Sequence, residues 1–98
     1  MSSCSVRTGG HAGSALLNIC DDDLLGRRIT DGDRTMEIGG YYRERLVGRD
    51  EAARLLSESH IINMVGERTV GLALELEVGV EDAVRRIGGV PFLLVFKM

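Results

Sequence analysis

The 98 residues carry twelve Lys and Arg against fifteen Asp and Glu, a net charge of −3, with 44% apolar and 28% charged side chains. Such a chain fits one globular domain, residues 1–98, with a single core. The mild negative charge argues against wrapping a phosphate backbone, so no DNA partner is expected; with no apolar run near membrane length and no leader-like start, the expectation is a cytoplasmic protein without membrane attachment.

In chain order, residues 3–8 and 14–20 flank the glycine-rich stretch TGGHAG and predict a hairpin. In its second arm Ala15, Leu17 and Ile19 share one face, which places that strand inside a sheet. Asp21, Asp22 and Asp23 follow. Their spacing is wrong for a calcium loop, and Asp21 reads as the cap of a one-turn helix. Asp31, Gly32 and Asp33 mark a turn before a short strand, residues 35–38. The stretch YYRERLVG then sets Tyr41 and Tyr42 beside Arg43 and Arg45, a composition able to stack on RNA bases and neutralise phosphates, although a tyrosine-bearing sheet edge with solvated arginines is its usual explanation.

Residues 48–59 predict a helix with Gly48 at the cap, Glu51 as in a capping box, and Ala52, Leu55 and Leu56 as its buried stripe. The chain turns through residues 59–65. A second helix, capped by Gly66 and ended by Gly79, is expected to bury Val70, Ala73, Leu74 and Leu76, with Leu72 beside them. Gly71 inside it suggests that another backbone passes close by. Residues 84–87 and 90–96 predict strands joined at Gly88 and Gly89 by a hairpin turn or a bulge. Residues 92–96 are apolar on both faces, and one helix layer covers only one face. A homodimer through the C-terminal strand is therefore expected. The fold class is α+β, a small mixed or antiparallel sheet packed by two main helices.

The run NMVGERTVGLALELEVG, the earlier CDDDLLGRRI, the DEAARLL helix and the closing IGGVP occur in the order that resembles the archaeal family catalogued as domain of unknown function 424. The resemblance implies a small α+β domain and a link to translation or RNA, with no established activity. After GVP the family tends to continue with His and small or polar residues, whereas this chain has Phe92, Leu93 and Leu94.

Little catalytic chemistry is legible. No nucleophile elbow, GxGxxG or Walker loop occurs, and Cys4, Cys20, His11 and His60 match no metal-ligand spacing, so neither metal nor cofactor is expected and the cysteines read as free thiols. The start of the second helix is the candidate site, where Asn63, Gly66, Glu67 and Arg68 with free backbone N–H groups are placed to meet an anion or phosphate. The alternative is that Glu67 and Arg68 tie the IGGVP turn to the helix. Two functions stand: a non-enzymatic adaptor or RNA-associated module of translation, which is favoured, and a small anion-binding protein or enzyme.

Overall fold

The computed structural model describes residues 3–11, 13–39 and 44–97, with the backbone alone for His11. The described residues form eight strands: β1 (Cys4–His11), β2 (Ser14–Asp21), β3 (Arg28–Asp31), β4 (Arg34–Glu37), β5 (Arg45–Val47), β6 (Ile61–Val65), β7 (Arg85–Ile87) and β8 (Val90–Phe96). The helices are α1 (Arg49–Glu58) and α2 (Glu67–Glu75), and short 3-10 turns occupy Asp22–Leu24 and Glu81–Ala83. Six strands form one mixed sheet in the order β5-β1-β2-β6-β8-β7, and β3 and β4 form a separate hairpin. The α+β expectation holds.

Alternation along the strands separates the two faces of the sheet. Val6, Leu17, Ile19, Ile62, Met64 and Leu93 point to the helix side, where Ala52, Leu55 and Leu56 of α1 and Val70, Leu72 and Ala73 of α2 close the main core. On the other side the β3-β4 hairpin covers one end only, setting Ile29 and Ile38 over Cys20 and Val65. Lys97 ties the last strand to α1 by donating from Nζ to the carbonyls of Leu56 and Ser57, at 2.7 and 2.9 Å, where a cation suits the helix C-terminus.

Several local expectations change. The first hairpin is longer than expected, because Gly9 and Gly10 pair with Leu16 and Ala15 and stay in the ladder. Residues 61–65 form a central strand, where a turn was expected: β6 lies parallel to β2 and antiparallel to β8, and its neighbours bury Ile62, Met64 and Val65. Arg28–Asp31 pairs with Arg34–Glu37 although no strand was expected before the Asp31 turn. Helix α1 has Gly48 at its cap, but no side chain caps it. Glu51 instead accepts from Arg45 at 2.7 Å and Arg54 at 3.2 Å, so the capping box does not form.

Helix α2 ends at Glu75, with Glu77 in the left-handed region at φ 60° before Gly79 is reached. Its buried face is Thr69, Val70, Leu72 and Ala73, while Leu74 is half-buried and Leu76 is exposed, a stripe rotated from the expected one by about one residue. A side chain at Gly71 would meet nothing within 4 Å, so no backbone crosses there. Gly88 and Gly89 have φ of 57° and 80°, which makes the β7-β8 link a tight hairpin turn; a Cβ at Gly88 would stand 2.8 Å from the Thr30 carbonyl oxygen, so the turn packs on β3.

Candidate functional site

The parallel strands β2 and β6 end side by side, with Cys20 paired to Val65. One residue further on, β2 presents Asp21 and β6 runs through Gly66 into α2, so a carboxylate stands at the start of the helix. Asp21 Oδ2 accepts from the Arg68 backbone N–H at 3.0 Å. Its Oδ1 accepts from the Thr69 N–H at 2.8 Å and the Thr69 hydroxyl at 2.7 Å. These are the second and third helical positions, the ones an N-cap side chain serves; here the cap comes from 47 positions away in sequence.

Gly66 makes this possible. Its φ is 111°, and a Cβ there would lie 2.3 Å from the Asp21 carboxyl carbon, so only glycine leaves room for the carboxylate. Asp21 is 4% exposed and Thr69 fully buried, and the Thr69 oxygen also lies 3.5 Å from Cys4 Sγ. Since the Thr69 hydrogen goes to Asp21, the Cys4 thiol donates to Thr69, giving a buried relay from thiol to hydroxyl to carboxylate.

Around this core the charges are paired. Arg68 Nη2 donates to Asp22 Oδ1 at 2.8 Å and to the Ser3 carbonyl at 3.2 Å, with Asp23 at 3.8 Å. Partial burial works against the Arg68 charge, and Asp21, Asp23 and Asp22 more than offset it, so its pKa moves up. Glu67 binds Arg86 at 2.7 Å, and Arg86 also donates to the Gly89 carbonyl, while the Gly66 N–H donates to the Pro91 carbonyl at 2.9 Å. The helix start is thereby tied to the β7-β8 turn. Burial, and then the Asp21 charge, push the Cys20 thiol up to about 12; burial also raises Cys4. Both cysteines are free and lie on opposite faces of the sheet.

Of the four residues expected to meet an anion, the structure brings Gly66, Glu67 and Arg68 together and leaves Asn63 apart. Asn63 lies in β6 on the helix-free face, paired with Asn18 and Leu94. Of the donors there, the Arg68 and Thr69 backbone N–H groups and Arg68 Nη2 are engaged by Asp21, Asp22 and Ser3. Asp21 was expected to cap the turn that follows it; its side chain makes no bond there. Tyr41, Tyr42 and Arg43 lie outside the described residues. Arg45 stands on the edge strand β5 and pairs with Glu51, whose carboxyl it holds below the ordinary range chiefly by that hydrogen bond. No cluster of three or more His, Cys, Asp or Glu able to hold a metal occurs among the described residues, nor any helix long and apolar enough to cross a membrane.

The second apolar face expected for residues 92–96 lies on the helix-free side, and its continuation across β6 and β2 was not read from the sequence. Leu16, Ile61 and Phe96 stand in one row across β2, β6 and β8, with Leu94 next to Phe96 along the strand. Phe96 is 63% exposed and Leu94 54%. The β3-β4 hairpin stops short of this end.

Fold and site together define a small α+β protein with a mixed sheet, whose parallel strands deliver a buried carboxylate as the cap of a distant helix. The family model described as a protein of unknown function, DUF424, matches residues 10–98, and the chain belongs to that family. A crystal structure of an uncharacterized conserved protein from Methanopyrus kandleri has the same fold, with a TM-score of 0.78 at 23% identity over 98% of this chain and 94% of that one. No curated protein matches the sequence.

Proposed function

We propose that this protein is a non-enzymatic adaptor that meets its partner through the helix-free face of the sheet. The observation that carries the reading is the exposed pair Leu94 and Phe96, continued across the sheet by the half-buried Leu16 and Ile61 in the row of Phe96. Contiguous exposed apolar groups on a sheet face are a contact surface. The groups with chemical potential are, by contrast, committed to the fold: Asp21 caps α2, Arg68 is paired, and both thiols are held protonated at neutral pH.

The chemistry of the face favours a protein over RNA. Among the described residues Phe96 is its exposed aromatic, and Arg7, paired with Asn18, and Arg85, paired with Phe92, are exposed cations on it, whereas strands that bind single-stranded RNA present several stacking rings along a basic groove. Two protein occupants suit it, a second copy of the chain and a component of the translation machinery, the latter implied by the family resemblance.

The test is retention of purified archaeal ribosomes and translation factors on immobilised protein, comparing wild type with the double variant Leu94→Asp, Phe96→Asp, with and without ribonuclease. Retention lost in the variant and insensitive to ribonuclease is expected. Ribonuclease-sensitive retention gives the face to RNA, and equal retention by both proteins removes the face from the argument.

A further inference from the structure

Gly71 lies in the middle of α2, where glycine is costly relative to alanine, yet the fold makes no use of its missing side chain. The surface does. On one side of it is a hollow of about 800 Å³ between α2 and the first turn of α1, with Cys4 and Leu72 in its lining. On the other is a hollow of about 470 Å³ toward β7, with Val70, Leu74, Val84 and Pro91. Both are bordered by Glu67 and Gly71. Positions 67, 71 and 75 form the ridge at helical spacing that separates the hollows, and at Gly71 the ridge falls to bare backbone. The two hollows therefore form one trough across the helix.

The rim of the trough carries a charge imbalance. Asp50, Glu51, Glu67, Glu75 and Glu81 face Arg49, Arg68 and Arg86. Glu51, Glu67 and Glu75 are paired to arginines, whereas Asp50 and Glu81, one at each end, take part in none of the ion pairs among the described residues. We infer that this trough is a docking groove for a peptide segment of a partner protein that crosses α2 over Gly71, with apolar side chains in the hollows and basic residues reaching Asp50 and Glu81. Charge complementarity selects a basic segment and disfavours nucleic acid. The groove is independent of the sheet face proposed above, which lies on the opposite side of the sheet, and it gives the adaptor a second contact.

The experiment uses the intact protein and a fluorescein-labelled peptide with leucine and arginine in an amphipathic helical pattern, beside a matched peptide with glutamate in place of arginine. Fluorescence anisotropy should show saturable binding of the arginine peptide and affinity about tenfold weaker, or worse, for the glutamate peptide. Gly71→Trp, which fills the low point of the ridge, should weaken the arginine peptide by about tenfold, the effect expected of a blocked central contact, with no fall in melting temperature. If Gly71→Trp fails to fold, the exposed pair Asp50→Arg with Glu81→Arg is read in its place and should weaken binding equally. No saturable binding, equal affinity for the two peptides, or wild-type affinity in the groove variant overturns the proposal. The pair Leu94→Asp, Phe96→Asp should leave peptide affinity unchanged; if it abolishes binding, the peptide sits on the sheet face and the groove reading falls while the sheet-face reading stands.

Discussion

Asp21 and Thr69 are joined twice: one carboxylate oxygen accepts both the backbone N–H and the side-chain hydroxyl of Thr69, at 2.8 and 2.7 Å. Both residues are buried, so the pair welds the end of β2 to the start of α2 where water cannot substitute for either partner. Asp21→Ala should lower stability by about 1 to 3 kcal/mol, the cost of leaving buried donors unmade, and urea denaturation reads it as a lower midpoint. Asp23→Ala, at an exposed carboxylate, should stay within about 0.5 kcal/mol of wild type. Equal effects of the two would remove the capping role.

Gly66→Ala places a Cβ where the Asp21 carboxylate sits and in a backbone conformation that alanine resists. Alone it should destabilise strongly. Combined with Asp21→Ala it should cost less than alone, because the clash partner has gone and the backbone strain remains. A double-mutant cycle measures the difference, with a coupling of about 0.5 to 3 kcal/mol expected for groups in contact. Strict additivity would mean that the glycine serves the backbone alone.

Gly71→Ala is expected to act in the opposite direction. The position is exposed, helical and free of neighbours within 4 Å, so the substitution should stabilise by about 0.5 to 1 kcal/mol through the helix propensity of alanine. A rise in melting temperature checks it, and a fall would reveal a contact that this geometry lacks.

Alkaline pH should unfold the protein through Cys20. Burial first, and then the Asp21 charge, raise its thiol from 9.0 to about 12 in the folded state. Below pH about 9 both states keep the proton and stability is unaffected. Above it the unfolded chain releases the proton while the folded chain holds it, so stability falls from about pH 9 toward 12, and the raised Cys4 thiol acts in the same sense. Urea midpoints measured up to about pH 11 should fall more steeply for wild type than for Cys20→Ala, whose neutral-pH stability is lower from the lost packing.

How far the sequence foretold this fold depended on whether a signal was local. Helix α1 was legible because Ala52, Leu55 and Leu56 recur at helical spacing after Gly48, and so were strands β7 and β8 on either side of paired glycines, although the choice between a hairpin turn and a bulge there was left open. Strand β6 was not, since Asn63 interrupts Ile61–Val65 and what defines the segment is its parallel partner β2, far away in sequence. The stripe of α2 was misplaced because apolar spacing counted Leu74 and Leu76, whereas Thr69, a polar residue, takes the buried position facing Asp21. Gly66 was recognised as the helix start and Arg68 as part of a polar cluster, but the group they meet is Asp21, and that meeting depends on two parallel strands ending in register.

Self-association is the last expectation, and the structure sharpens how to test it. In β8, Leu93 points into the main core and is 2% exposed, while Leu94 and Phe96 lie on the helix-free face at 54% and 63%. The two apolar faces of residues 92–96 thus differ: one is filled by the helices, and the other is packed at Phe92 and exposed at Leu94 and Phe96. Two copies meeting about a two-fold axis would set these rows together, and burial at about 25 cal/mol per Å² drives such pairing. Sedimentation at micromolar concentration should show a dimer, and Phe96→Arg should return it to 10.7 kDa without lowering the melting temperature of the monomer. Leu93→Arg should instead unfold the chain, since it buries a charge in the main core. A wild-type species of 10.7 kDa at every concentration refutes the dimer, and a dimer that survives Phe96→Arg lies on another surface.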